Sequence, residues 1–246
     1  MKQFKSVLVA ACLAVAAPLA MAADDVVAFT RAIKQDNDLT MRGLLSRGFD
    51  PNTPTESGAP GLYVALQEGS MKVASILLDS PKLKAESRNA ADESPLMMAS
   101  LKGQLDVVKR LIALDADVNK PGWTPLHYAA TNGHTDVIRL LLEHHAFIDA
   151  QSPNGTTPLM MAASYGSPEA VKLLLESGAD FTMRNQKQMT AMDFAKNAAR
   201  PDAIDLLQQA ERYRAQRPPA RSAAPVAPAA APAVPTTPPA APKGQW

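Results

Sequence analysis

Four histidines, His127, His134, His144 and His145, and eleven methionines are the side chains of this 246-residue chain best suited to holding a metal ion. Their spacing argues against it. None of the ligand intervals expected of a zinc site occurs, and the adjacent pair His144 and His145, at a helix end, must point in different directions. Met97, Met98, Met160 and Met161 fall on a segment expected to pack inward, where methionine serves as core filler. A glycine-rich phosphate loop, a Gly-x-Ser-x-Gly elbow and a His-Glu-x-x-His helix are each missing, so no nucleophile and base are placed by a recognisable geometry. The expectation is a chain with no catalytic residue, no metal ligand and no cofactor.

The single cysteine, Cys12, lies in a leader-like segment. Lys2 and Lys5 precede an apolar run from Val7 to Ala17, and Pro18 is followed by Ala20-Met21-Ala22, the pattern of a secretory signal peptide cleaved after Ala22. The run is shorter than the roughly 20 residues that a membrane-crossing helix needs. Val9-Ala10-Ala11-Cys12 resembles a lipoprotein box, but the apolar stretch before it is very short and another follows. Cleavage would remove two of the 25 basic residues and leave 23 against 24 acids, without the basic excess that nucleic-acid binding calls for. At the far end, the thirty residues from Arg217 hold nine prolines, ten alanines and no acid, a composition that cannot bury a core. Three parts are therefore expected: a signal peptide over 1–22, a folded domain over 23–213 and a disordered Pro/Ala-rich tail over 214–246.

The folded part repeats itself with a period of 33 residues. Thr157-Pro158-Leu159-Met160-Met161-Ala162-Ala163 follows Thr124-Pro125-Leu126-His127-Tyr128-Ala129-Ala130 by that interval, and Gly133 and Gly166 stand nine residues after each threonine. Ser94-Pro95-Leu96-Met97-Met98-Ala99 with Gly103 is an earlier copy. Divergent copies begin near Ala32-Ile33, Leu62-Tyr63 and Thr190-Ala191. In the copy at 124, Thr124 caps one helix, Pro125 sits at its first position and Gly133 permits the left-handed turn that ends it. A second helix over Thr135–His144 puts Val137, Ile138, Leu141 and Leu142 on one stripe and Asp136, Arg139 and Glu143 outside. One pair cannot bury that stripe alone, so the copies must stack into an all-α solenoid of about six helix-turn-helix repeats. Asp36 and Ala199 replace glycine in the first and last copies, which read as caps with Lys196 and Asn197 facing outward.

The Thr-Pro-Leu-His block at 124–127, Gly133-His134 and Gly178-Ala179-Asp180 resemble ankyrin-repeat signatures over roughly Asp24 to Arg212. The resemblance implies that His127 and His134 make turn hydrogen bonds. Methionine at Met97 and Met160 should then lose such a bond and loosen its turn. The link from Asn119 to Thr124 is three residues shorter than that from Asp149 to Thr157, so its hairpin should be truncated. With the leader, the resemblance implies a bacterial envelope member, periplasmic or secreted.

Ankyrin arrays bind proteins through a concave face made by hairpin tips and first-helix ends. Carried over residue by residue, that face comprises Glu93, Trp123, Thr156 and Met189 at the tips and Leu101, Lys102, Thr131, Asn132 and Tyr165 at the helix ends. Trp123 and Tyr165 are aromatic anchors for a protein partner; the alternative for Trp123 is that it covers the shortened hairpin. The expected function is non-enzymatic protein binding in the bacterial envelope. The alternatives are an accessory factor that supports an exported stress-defence enzyme and a His/Met metal-binding protein. The leader yields a direct test: protein recovered from the envelope should have the intact mass of a chain starting at Ala23, and a retained Met1 or a lipid on Cys12 would refute the assignment.

Overall fold

The computed structural model describes residues 23–216; the leader with Cys12 and the tail from 217 onward lie outside the described residues. Among the described residues twelve helices form six helix-turn-helix pairs: α1 (23–34) with α2 (Asp38–Ser46), α3 (Gly61–Glu68) with α4 (Met71–Leu78), and α5 (Pro95–Leu101) with α6 (Leu105–Ala113). They continue as α7 (Pro125–Thr131) with α8 (Thr135–Glu143), α9 (Pro158–Tyr165) with α10 (Pro168–Glu176), and α11 (Ala191–Asn197) with α12 (Pro201–Gln216). First helices stack along the row α3, α5, α7, α9, α11, and second helices along α6, α8, α10, α12. The all-α solenoid expected from the repeat is the observed architecture. No described helix is long and apolar enough to cross a membrane.

The stripe that requires stacking is buried as expected. Val137, Ile138 and Leu141 are shielded from solvent and Leu142 is half-buried, while Asp136, Arg139 and Glu143 are exposed. Leu96, Leu126 and Leu159, at one register position of successive first helices, are fully buried. Burial of such side chains is the main favourable term holding one pair on the next.

Four first helices, α5, α7, α9 and α11, are opened by a reciprocal cap, whereas α3 starts after Pro60 with no side-chain cap. Ser94, Thr157 and Thr190 accept from the amides of Met97, Met160 and Asp193. In return the Asp193 carboxylate accepts from the Thr190 amide at 2.8 Å, and the His127 Nδ1 from the Thr124 amide at 3.2 Å. At Met97 and Met160 the expected loosening does not occur, because the thioether sulfur accepts the Ser94 and Thr157 amides at 3.4 Å. Sulfur is a weak acceptor, but the turn is closed.

Left-handed turns end most first helices. Gly103 and Gly133 have φ of 66° and 69°, and Asp36 and Ala199 adopt the same region at 49° and 52° without glycine. Gly166 departs from expectation, with φ −76°. It must be glycine for another reason: a Cβ there would lie 2.4 Å from the Ala130 carbonyl oxygen of the preceding pair. After four of these turns the next residue reaches back. Ser70 donates to the Ile33 carbonyl, His134 to Leu101 at 3.0 Å, Ser167 to Gly133 at 3.4 Å and Arg200 to Gly166 at 2.7 Å.

The last pair ends later than the sequence pattern indicates. Residues 214–216, assigned above to the tail, belong to α12, because Arg214 lies 3.9 Å from Asp180 and 5.6 Å from the Phe181 ring centroid. Lys196 and Asn197 face solvent, as a capping pair requires.

Three substitutions test this account by urea denaturation. Leu141→Ala should cost about 2–5 kcal/mol, the range for a buried leucine. Gly178 has φ 97° and open space around it, so Gly178→Ala should cost only the left-handed penalty of about 1–2 kcal/mol. Gly133→Ala should cost more than Gly178→Ala, because its Cβ would also sit 2.5 Å from the Ser167 amide nitrogen. Equal losses at the two glycines would refute the close-approach argument.

Candidate functional site

Four of the hairpin tips close in the same way. The amides of Thr55, Asn89, Ser152 and Asn185 donate to the carbonyls of Ala59, Glu93, Thr156 and Met189, between residues four apart. The shortened hairpin between α6 and α7 has too few residues to do this. Lys120 substitutes for the missing backbone: its ammonium, with the side chain only 4% exposed, donates to the Trp123 carbonyl at 3.2 Å and the Pro121 carbonyl at 3.1 Å and pairs with Asp92 at 2.6 Å. Truncation is therefore real, and a buried cation closes the gap. It leaves Phe147 of the next hairpin 67% exposed beside Pro121 and Gly122.

Closing the tip this way sets Trp123 over the start of α7. Its ring meets His127 edge-on at 5.2 Å, and the two join Leu101, Tyr128, Thr131 and Met161 around a cleft of about 210 Å³. The floor is fixed. His127 is 1% exposed, takes the Thr124 amide on Nδ1 and donates from Nε2 to the Thr156 carbonyl at 2.9 Å, which sets its neutral tautomer. Burial is the main cause that pushes its pKa down to about 4; the Lys120 charge adds to this, against carbonyl hydrogen bonds from Thr156 and Ala150.

At the neighbouring tip Glu93 is held by three donors. The Tyr63 hydroxyl donates to Oε2 at 2.6 Å, the Asn89 amide to Oε2 at 2.9 Å and the Tyr128 hydroxyl to Oε1 at 2.7 Å. Burial opposes the charge, yet these donors outweigh it and hold the carboxyl below its ordinary range, so Glu93 is anionic. Burial and the adjacent carboxylate push both tyrosines up, so both hydroxyls stay protonated.

The sequence-selected residues divide under this geometry. Tyr165, 65% exposed, and Lys102 stand free to make contacts. Trp123 and Leu101 are half-buried and line the cleft, so Trp123 both covers the shortened hairpin and faces the groove. Thr131 lines it too, with its hydroxyl donated to the His127 carbonyl at 2.8 Å. Asn132 is exposed but its amide is given to the Leu101 carbonyl at 2.8 Å. Met189 is half-buried at the last tip. Thr156 needs correction: at 2% exposure it presents no side chain to a partner, and its amide and carbonyl are taken within the protein by Ser152 and His127. Sequence reasoning missed Tyr63, Asn89, Lys120, Tyr128 and Met161 as parts of this face. Register held the signal for one of them, since Tyr63 occupies the position of His127 and, like it, reaches the next hairpin tip.

Among the described residues no three His, Cys, Asp or Glu side chains converge as metal ligands, and Met97 and Met160 spend their sulfurs on caps. Larger clefts include two, of about 480 and 710 Å³, between second helices of the first two pairs and of the last two, lined by residues such as Phe49 and Ile76, and Leu175 and Leu206. Each sets one aromatic ring among charged side chains, Phe49 with Arg42, Asp79 and Lys82 in the first and Tyr213 with Lys172 and Glu176 in the second, whereas the smaller cleft gathers three rings, Trp123, His127 and Tyr128.

The family model for ankyrin repeats, described as three copies, matches residues 29–121, 96–185 and 145–214. The rat ankyrin repeat and SAM domain-containing protein 6 is 30% identical over 109 residues, 43% of this chain and 12% of that protein. Mouse protein phosphatase 1 regulatory subunit 27 is 29% identical over 93 residues, 37% of this chain and 60% of that protein. The matches thus span a small part of the first relative and three fifths of the second. Among solved structures, the human ASB11 ankyrin repeat domain superposes with a TM-score of 0.66 at 26% identity, over 74% of this chain and 82% of that one.

The buried histidine supplies a pH test. Its folded pKa, about 4, lies below the 6.5 of an unhindered imidazole, so between those values the unfolded chain binds a proton that the native chain refuses. Its contribution is constant above pH 6.5 and falls with acidification toward pH 4, by up to about 3 kcal/mol. His127→Met, copying Met97 and Met160, should shrink the stability difference between pH 7 and pH 4.5 in urea titrations. An unchanged difference would mean that His127 is not held neutral.

Proposed function

The chain belongs to the ankyrin-repeat family, whose arrays are protein–protein interaction modules, and from that premise we propose that it is a non-enzymatic binding protein of the bacterial envelope. Export rests on the leader pattern of Met1 to Ala22. The partner sits on the groove formed by hairpin tips and first-helix ends. Tyr165, Trp123, Leu101 and Lys102 make contacts, with Glu93, Thr131, Asn132 and Met189 around them.

One observation carries the reading: this face combines aromatic and apolar side chains with polar groups already tied down. Ordering costs little on binding when His127, Thr131, Asn132, Glu93 and Lys120 are each fixed by internal hydrogen bonds. Exposed aromatics on a rigid frame supply contact area at low entropic cost. A relative named as a regulatory subunit favours the accessory form of the same reading, in which the bound protein is itself an exported enzyme.

Affinity capture from the native envelope, with the mature chain as bait, tests this. Tyr165→Ala should weaken capture by about 1–3 kcal/mol with an unchanged melting temperature, the behaviour of an interface anchor. Trp123→Ala should weaken capture similarly and also lower stability, since its ring covers His127. Full capture by a folded Trp123→Ala/Tyr165→Ala double variant would place recognition on another face.

A further inference from the structure

Glu93 is an ion without a counter-ion. Its three donors, Tyr63, Asn89 and Tyr128, are all neutral, and among the described residues it forms no salt bridge. Its surroundings deepen the imbalance. Glu86, Asp92 and Asp117 share only Arg88 and Lys120, and Lys120 is committed to Asp92 and to the carbonyls of the shortened hairpin. Four carboxylates thus face two cations along this stretch of tips.

The carboxylate is only part-buried, and Tyr128 links it to the cleft. Tyr128 and Trp123 line that cleft together with Leu101 and Met161. A volume of about 210 Å³ is the share of about seven waters, room for one long side chain. Aromatic faces attract a cation through the ring quadrupole, tryptophan best of all. Leu101 and Met161 suit the aliphatic stem of such a side chain, because lysine and arginine lay their methylenes on apolar surface while the charged head seeks a polar end. An acidic side chain would meet repulsion from Glu93, and a purely apolar one would cover a carboxylate and offer it nothing.

We propose that the Trp123–Tyr128–Glu93 end of the groove receives a lysine or arginine side chain of the bound protein, its stem against Leu101 and Met161 and its charge paired with the Glu93 carboxylate. This rests on the groove being the binding face and adds the chemistry of what it takes. Glu93 is here a specificity determinant, and Tyr63, Asn89 and Tyr128 are the positioning residues that fix its carboxylate, with Tyr128 joining it to the cleft.

A displayed library of random peptides, selected against the full chain, tests this without knowledge of the natural partner. Selected peptides whose binding is lost with Tyr165→Ala should be enriched in lysine or arginine. In the tightest of them, exchange of one arginine for its neutral isostere citrulline should weaken binding about tenfold, and Glu93→Gln should erase that difference, since a charge-assisted hydrogen bond is then gone. Tyr128→Phe, which removes a positioning donor but leaves the carboxylate, should narrow the preference for arginine over citrulline without erasing it. The citrulline exchange is made on the peptide, so it remains decisive if Glu93→Gln melts early. Groove-dependent peptides without basic enrichment, or indifferent to the citrulline exchange, would overturn the proposal and leave the groove reading standing. Selected peptides that bind equally well to the Trp123→Ala/Tyr165→Ala double variant would overturn both.

Discussion

A helix that stops abruptly leaves carbonyl groups short of donors, and here the next pair supplies them. The residue that follows each first-helix turn, Ser70, His134, Ser167 or Arg200, donates to a carbonyl at the end of the preceding first helix. These bonds fix how far and at what angle one pair sits on the last. They also explain the tight approach at Gly103, where a Cβ would meet the His134 ring at 2.5 Å. The third pair is the exception. Gln104 stands at this register but reaches the Met71 sulfur at 3.2 Å, and its amide oxygen is buried without a hydrogen bond. That junction is tied by side chains elsewhere, through Arg110 to Asp79 and Tyr63 to Glu93.

A second row of cross-pair bonds runs along the hairpins. Asn52, Glu86, Asn119 and Asp149 each accept from a backbone amide of the next unit, at Lys84, Asp117, Phe147 and Asp180. Two rows at opposite ends of the first helices restrain sliding and rotation, so the groove between tips and helix ends keeps its shape. The shortened hairpin survives within this frame because Lys120 replaces a main-chain bond with a buried ammonium. A buried charge is tolerated only when paired and hydrogen-bonded, and Asp92 with two carbonyls provides that.

The groove's chemistry follows from what this framework leaves unused. His127, Thr131 and Asn132 spend their polar atoms inside the protein. What remains outward is aromatic surface, at Trp123, Tyr128 and Tyr165, and the charge of Glu93. The same register position serves different ends in different pairs. His127 locks its neighbour's backbone, Tyr63 holds its neighbour's carboxylate, and Met97 and Met160 only close their own turns. Variation at one position of a fixed scaffold is how a solenoid gains a particular surface.

The period of 33 residues, the capping Ser and Thr, the prolines at first helical positions and the apolar stripes determined the solenoid and its helix pairs, because these are local rules that each copy obeys on its own. Exposure at Tyr165 and Lys102, and burial of Leu141, were legible for the same reason. Other features depended on residues about thirty positions apart, which no local rule relates. The bond from Tyr63 to Glu93, that from Tyr128 to Glu93 and that from His127 to the Thr156 carbonyl arise only when one copy rests on another. So does the fate of Gly166, required by the Ala130 carbonyl rather than by its own turn. Sequence determined each unit because a helix pair is set by neighbours along the chain; tertiary structure decided the groove because its polar groups find their partners across the junctions.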